Sequence, residues 1–101
     1  MTDKDLYGGL IRLHILHHAA EEPLFGLGLI EELRRHGYEI SAGTLYPMLH
    51  GLEKKGYLTP RRERALLLEL RAYEITERGR MALIEAKAKV RELFGELIEG
   101  R

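Results

Sequence analysis

His14, His17 and His18 stand at i, i+3 and i+4, a spacing that on a helix lets neutral imidazoles converge on a divalent cation. On a helical wheel His14 and His18 share a side, while His17 turns towards the other face. The nearest acids in sequence, Glu21 and Glu22, fall at the end of the segment, and the chain has no Cys. The three are therefore read as interface histidines with satisfied partners, and neither a metal nor any other cofactor is expected. The lack of Cys also excludes a disulfide scaffold, a thiolate zinc site and a cysteine nucleophile. Gly26-Leu27-Gly28 has no preceding strand and no third glycine, so it is not a nucleotide loop. Ser41 has no His–Asp pair near it in sequence and reads as a helix cap. Carboxylates are plentiful but sit on solvent-facing helix positions. No catalytic residue emerges, and an enzyme is not expected.

What remains is charge. The 101 residues carry 16 basic and 16 acidic groups. Residues 1–33 hold 2 basic and 6 acidic groups, residues 34–64 hold 7 and 3, and residues 65–101 hold 7 and 7. Neutrality is thus a sum of unlike parts, and a contiguous basic third can attract phosphate whatever the total. The opening MTDKDLYGG lacks the basic-then-apolar order of a signal peptide. The longest unbroken apolar run, Ala65 to Leu68, is far too short to span a membrane. A cytoplasmic protein is the expectation.

The elements that must position these groups are helical. Nineteen Leu against one Val is a helical vocabulary. Lys4 to Ala20 reads as a helix with Leu6, Leu10, Leu13, Leu16, His17 and Ala20 on one side. Tyr7, Ile11, His14, Ile15 and His18 lie on a second. A helix apolar almost all round must be covered almost all round. So small a chain rarely surrounds its own first helix, and a second subunit is expected over one face. Gly26 to His36 forms the second helix, and Gly37 follows as its left-handed cap.

The third helix starts after Ser41 and runs to Lys55, with Gly56 closing it. Leu45, Met48, Leu49 and Leu52 make its inner stripe, opposite Gly43, Tyr46, Pro47, His50, Gly51 and Lys54. Pro47 leaves two options: loose first turns, or Thr44 as the true cap with Pro47 in the first turn. Tyr57–Arg64 and Leu68–Thr76 read as strands, with Tyr73 and Ile75 inward. Glu77–Glu99 is a long helix whose steps 83, 86, 90, 93 and 97 follow a heptad. The fold class is mainly α with a small β-hairpin: a winged helix-turn-helix over residues 1–76, and a dimerisation helix over 77–101 that packs with the first helix as one compact unit. The third helix is the groove-reading element.

The string Ser41-Ala42-Gly43-Thr44-Leu45-Tyr46-Pro47-Met48-Leu49-His50-Gly51-Leu52-Glu53-Lys54-Lys55-Gly56-Tyr57-Leu58 strongly resembles the signature of PadR-type transcriptional regulators. Tyr73-Glu74-Ile75-Thr76-Glu77-Arg78-Gly79-Arg80 resembles that family's second wing strand and the start of its terminal helix. Pro23-Leu24-Phe25-Gly26 with Ile30-Glu31-Glu32-Leu33 resembles its second helix more weakly. The single C-terminal helix resembles the short branch of the family. The resemblance implies a homodimeric bacterial repressor that binds a near-palindromic operator in double-stranded DNA and is released by a small molecule. It puts Ser41, Thr44, Tyr46, Pro47, His50, Lys54 and Lys55 of the reading helix on DNA. Arg61, Arg62, Arg64 and Arg71 would supply the charge of the wing.

Three departures stand out. Phe25-Gly26-Leu27-Gly28 replaces the usual His-Gly-Tyr-Glu, Gly51 replaces a common basic residue, and the wing tip is Ala65-Leu66-Leu67-Leu68-Glu69-Leu70 instead of a Gly-rich basic turn. A second reading therefore stays open: a dimeric protein-interaction module that uses the Leu66–Leu70 tip. The dimer interface is expected at Tyr7, Ile11, His14, Ile15 and His18 of the first helix and at Leu83, Val90, Leu93, Phe94 and Leu97 of the last. An effector pocket is expected at that interface, lined by Tyr7, Ile11, Ile15, Leu93 and Leu97, although a packed interface would offer the same residues.

Overall fold

The Asp3 carboxylate opens the first helix, accepting the backbone N–H groups of Asp5 and Leu6 at 3.1 Å. In this computed structural model, which describes residues 2–65 and 68–101 and the side chains outside 62–71, α1 spans Lys4–Glu21. It stops ahead of Pro23, whose ring disfavours helical geometry in the residue before it. A two-residue strand follows, β1 at Leu24–Phe25, and then α2 at Gly26–Arg35.

Two helices end in the same way. Gly37 has φ +93°, with its N–H on the Arg34 carbonyl and the Tyr38 N–H on the Leu33 carbonyl. After α3, Ala42–Lys54, Gly56 takes φ +83°, with its N–H on Glu53 and the Tyr57 N–H on Leu52. Both are six-to-one, five-to-two closures around a left-handed residue, a conformation that glycine adopts without steric cost. The start of α3 resolves the two options for its cap. The Ser41 hydroxyl accepts the Thr44 N–H at 3.3 Å, so Ser41 is the cap. Pro47 then lies inside the helix, where it has no N–H for the Gly43 carbonyl one turn back.

Strands β2, Leu58–Ala65, and β3, Leu68–Ile75, pair antiparallel, Leu58 opposite Ile75 and Ala65 opposite Leu68. β1 pairs antiparallel on the other side of β3, Leu24 opposite Tyr73, giving the order β1-β3-β2. Periodicity could not reveal β1, because two residues carry no alternation. Pro60 is tolerated because β2 is an edge strand. The chain ends in α4, Glu77–Leu97, capped by Thr76, whose hydroxyl accepts the Gly79 N–H at 2.9 Å. Mainly helical with a three-stranded antiparallel sheet, this is a winged helix-turn-helix with a long C-terminal helix.

One face of α1 departs from expectation. The sequence pattern puts Ile11, Ile15 and Leu83 at a subunit interface, but they lie in the chain's own core with Leu33, Leu45, Leu49, Leu58 and Tyr73; Ile11 and Ile15 are 0% exposed. The bare part of α1 is its first half, with Leu6 68%, Leu10 41% and Tyr7 40% exposed, whereas Leu16 further along is buried. Both sides are apolar in sequence, and only tertiary packing, with β3, α4 and α2 against α1, decides between them. Among the described residues, no helix is long and apolar enough to cross a membrane.

Candidate nucleic-acid interface

Helix α3 is seated from below. Leu45, Met48, Leu49 and Leu52 are buried, two of them completely, and they fix the rotation of the helix about its axis. The opposite side is bare: Tyr46, Pro47, His50, Lys54 and Lys55 are exposed, with Thr44 half-buried at the capped end. An exposed aromatic and two ammonium groups can meet sugar and phosphate, while the imidazole and the threonine hydroxyl can reach base edges. Tyr46 has a second task. A β-carbon on Gly26 would fall 2.2 Å from its hydroxyl oxygen, so the ring lies directly over the first residue of α2. The family-atypical run Phe25-Gly26-Leu27-Gly28 thus keeps the one glycine that this ring needs.

The far end of α3 is clamped to α4. The Thr76 hydroxyl donates to the Gly56 carbonyl at 2.6 Å while it caps α4. A β-carbon on Gly79 would meet the Tyr57 carbonyl oxygen at 2.2 Å, and the Arg78 guanidinium lies 5.9 Å from the Tyr57 ring centroid. The strings at 41–58 and 73–80 are therefore two halves of one joint. The near end carries cations that a segment-by-segment charge count assigns to an acidic region. Lys4 and Arg12, both exposed, border a shallow depression with Gly43, Thr44 and Pro47. Only the fold brings the start of α1 beside the start of α3.

Arg61, expected among the wing contacts, is ion-paired with Glu74. It borders a depression with Glu21, Glu22 and Arg80 at the far end of α1, so part of its charge is already answered. Arg62, Arg64 and Arg71, and the Leu66–Leu70 tip of the second reading, have side chains outside the described residues.

The model of the transcriptional regulator PadR-like family matches residues 15–85. The chain belongs to the PadR-like family. It is 45% identical over 91 residues to the transcriptional regulator Rv3488 of Mycobacterium tuberculosis, covering 90% of this chain and 85% of that one. Among solved structures it is similar to a PadR family transcriptional regulator from Eggerthella lenta, with 30% identity, TM-score 0.80, and 96% and 88% of the two chains covered. It is also similar to a PadR-like transcriptional regulator from Bacillus cereus, with 25% identity, TM-score 0.80, and 96% and 99% covered. Family membership makes this chain a transcriptional regulator and not an enzyme.

Two further features of this PadR-family chain bear on function. The first is α4, whose Val90, Leu93, Phe94 and Leu97 are 44–69% exposed. Between α1 and α4 of the same chain runs an open groove of about 560 Å³, lined by Leu10, Leu13, His17, Leu83, Val90 and Phe94 among others. It replaces the pocket expected around Tyr7, Ile11 and Ile15, since the two isoleucines are sealed in the core and Tyr7 meets Tyr38 edge-on at 6.4 Å.

The second is where the histidines go. His14 and His18 were expected to face a second subunit; instead they face His36, the C-cap of α2. The His14 and His36 rings stack at 4.8 Å, and His18 and His36 at 5.4 Å. The edge of Tyr38 closes on His14 at 5.2 Å. Burial, and then the neighbouring His36, His18 and His17, hold the His14 imidazole below the usual histidine range. His17 lies on the groove side, its ring 5.2 Å from that of His18. Nothing in the spacing of 14, 17 and 18 points to His36, which helix packing alone brings in.

Proposed function

We propose that this chain is a homodimeric repressor that occupies near-palindromic operator DNA, with α3 in the major groove. The observation that carries this reading is the asymmetry of α3: a fully seated inner stripe beneath a bare outer face of Tyr46, Pro47, His50, Lys54 and Lys55. A helix held that firmly, with that chemistry facing outward, fits a groove about 12 Å wide. Ser41 and Thr44 bring the capped end of α3, with its unpaired N–H groups, towards the phosphates. Lys4 and Arg12 add two cations beside it, against the one carboxylate of Asp5.

The dimer is supported by apolar surface that the monomer leaves uncovered. Val90, Leu93, Phe94 and Leu97 on α4 and Leu6 and Leu10 on α1 are too many to leave in water. Residues 77–101 therefore act as the dimerisation arm. The groove between α1 and α4 lies along that surface and is the place for a small apolar effector that releases the protein from DNA.

A mobility-shift titration tests the reading, with DNA from upstream of the protein's own gene and a random duplex of equal length, each at two salt concentrations. A specific shift at the higher salt supports it. Equal, salt-labile binding to both duplexes contradicts specific recognition and favours the protein-interaction reading.

A further inference from the structure

The imidazoles of His14, His18 and His36 each present a nitrogen within 4.8 Å of the others. One Glu32 oxygen joins them, 3.4 Å from Nε2 of His36 and 3.9 Å from Nε2 of His18. That His18 nitrogen is buried and has no hydrogen-bond partner. A buried polar atom without a partner is costly, and a missing ligand is one of the few explanations for it. The outer groups are also in place. Arg35 holds the other Glu32 oxygen at 2.7 Å, leaving the first free to turn inward. Glu21 lies 3.7 Å from Nδ1 of His18, short of a hydrogen bond but near enough for its carboxylate to steer that ring once the imidazole ligates.

We propose that His14, His18, His36 and Glu32 bind one divalent transition-metal ion of the zinc class. Three imidazole nitrogens and one carboxylate oxygen form a donor set for borderline cations such as Zn²⁺, Co²⁺ or Ni²⁺, and a poor one for Mg²⁺ or Ca²⁺. Metal–nitrogen bonds of about 2.0–2.1 Å place tetrahedral ligands roughly 3.4 Å apart, so modest side-chain rotations close the present cluster onto an ion. His17 takes no part. Its partner is Glu21, at 3.4 Å, on the groove side of α1. An ion in this site ties the middle of α1 to the C-cap of α2, immediately ahead of the 37–41 segment that leads into α3. The site does not depend on the DNA reading, and its test uses no DNA.

The test uses tag-free, chelator-treated full-length protein titrated with Zn²⁺ by calorimetry and with Co²⁺ by visible absorption. The expected result is one ion per chain at a dissociation constant of roughly 1 μM or tighter, with the intense visible bands of four-coordinate Co²⁺. Saturating Zn²⁺ raises the thermal midpoint by about 5 °C or more. His36→Ala, at an exposed helix end, weakens binding by roughly 100-fold or more, beyond the 10–100-fold of an outer-shell loss, and abolishes the thermal shift. His14→Gln does the same and serves should His36→Ala fail to fold, as circular dichroism will show. His17→Ala changes affinity by less than about threefold. Substoichiometric binding, or an unmoved midpoint at saturating Zn²⁺, overturns the proposal. So does loss of binding in His17→Ala with retention in His36→Ala, which would move the ion to His17, His18 and Glu21.

Discussion

Gly79 has no room for a methyl group, because the atom it would strike is the Tyr57 carbonyl oxygen, which cannot swing aside as a side chain can. Gly79→Ala is expected to cost about 1–3 kcal/mol through overpacking, read as a lower urea midpoint at unchanged slope. Gly51→Ala, with open space around it, should cost nothing and serves as its control. The reading helix allows a sharper division between residues. Lys54 is exposed in the last turn of α3 and meets phosphate in the proposed complex. Lys54→Ala should weaken binding to every duplex alike and flatten the slope of log affinity against log salt by about 0.9. Tyr46→Ala should hurt the operator more than random duplex; equal losses would make Tyr46 a positioning residue. The string around these residues was legible in the sequence. The second task of Tyr46 over Gly26 was not, because it depends on a crossing of two helices that spacing does not encode.

Caps and closures explain why the elements were largely readable. Ser41, Gly37 and Gly56 each announce a boundary through a local chemical need, and the end of α2 and both ends of α3 fall where those residues put them. Ser41→Ala should cost about 1 kcal/mol, as for a cap with one side-chain bond. Thr76→Ala should cost more, roughly 2 kcal/mol, because the same hydroxyl also holds the partly buried Gly56 carbonyl. Thermal or urea denaturation of both variants checks the order, and a larger loss at Ser41 would contradict it. Two features were illegible for different reasons. β1 exists only because β3 offers it an open edge, and the buried side of α1 is chosen only by packing. The histidine cluster is of the second kind: α1 supplies two rings, the end of α2 the third, and no local signal links them.

The whole molecule presents the exposed outer face of α3, the proposed recognition surface, and uncovered apolar surface along α4. Leu93 and Leu97 are 46% and 69% exposed, so replacing both with Asp should leave the monomer core intact. Sedimentation should then report a single-chain mass for the Leu93→Asp, Leu97→Asp protein, with its helical content retained. Ile15→Asp, by contrast, buries a charge in the core and should unfold the chain. A dimer that survived the α4 double variant would place the interface elsewhere. The neutral total of 16 against 16 is consistent with a selective DNA binder, since Lys4, Arg12, Lys54 and Lys55 lie at or beside α3 and outnumber the acids there, Asp5 and Glu53. In the proposed complex two copies of α3 read two half-sites in operator DNA, and the sharpest check is a footprint on the protein's own upstream region. The footprint should show two protected, inversely related half-sites about one helical turn apart, centre to centre, lost in Tyr46→Ala at matched protein concentration. Protection without sequence preference, or protection unaffected by changes on the outer face of α3, would contradict it.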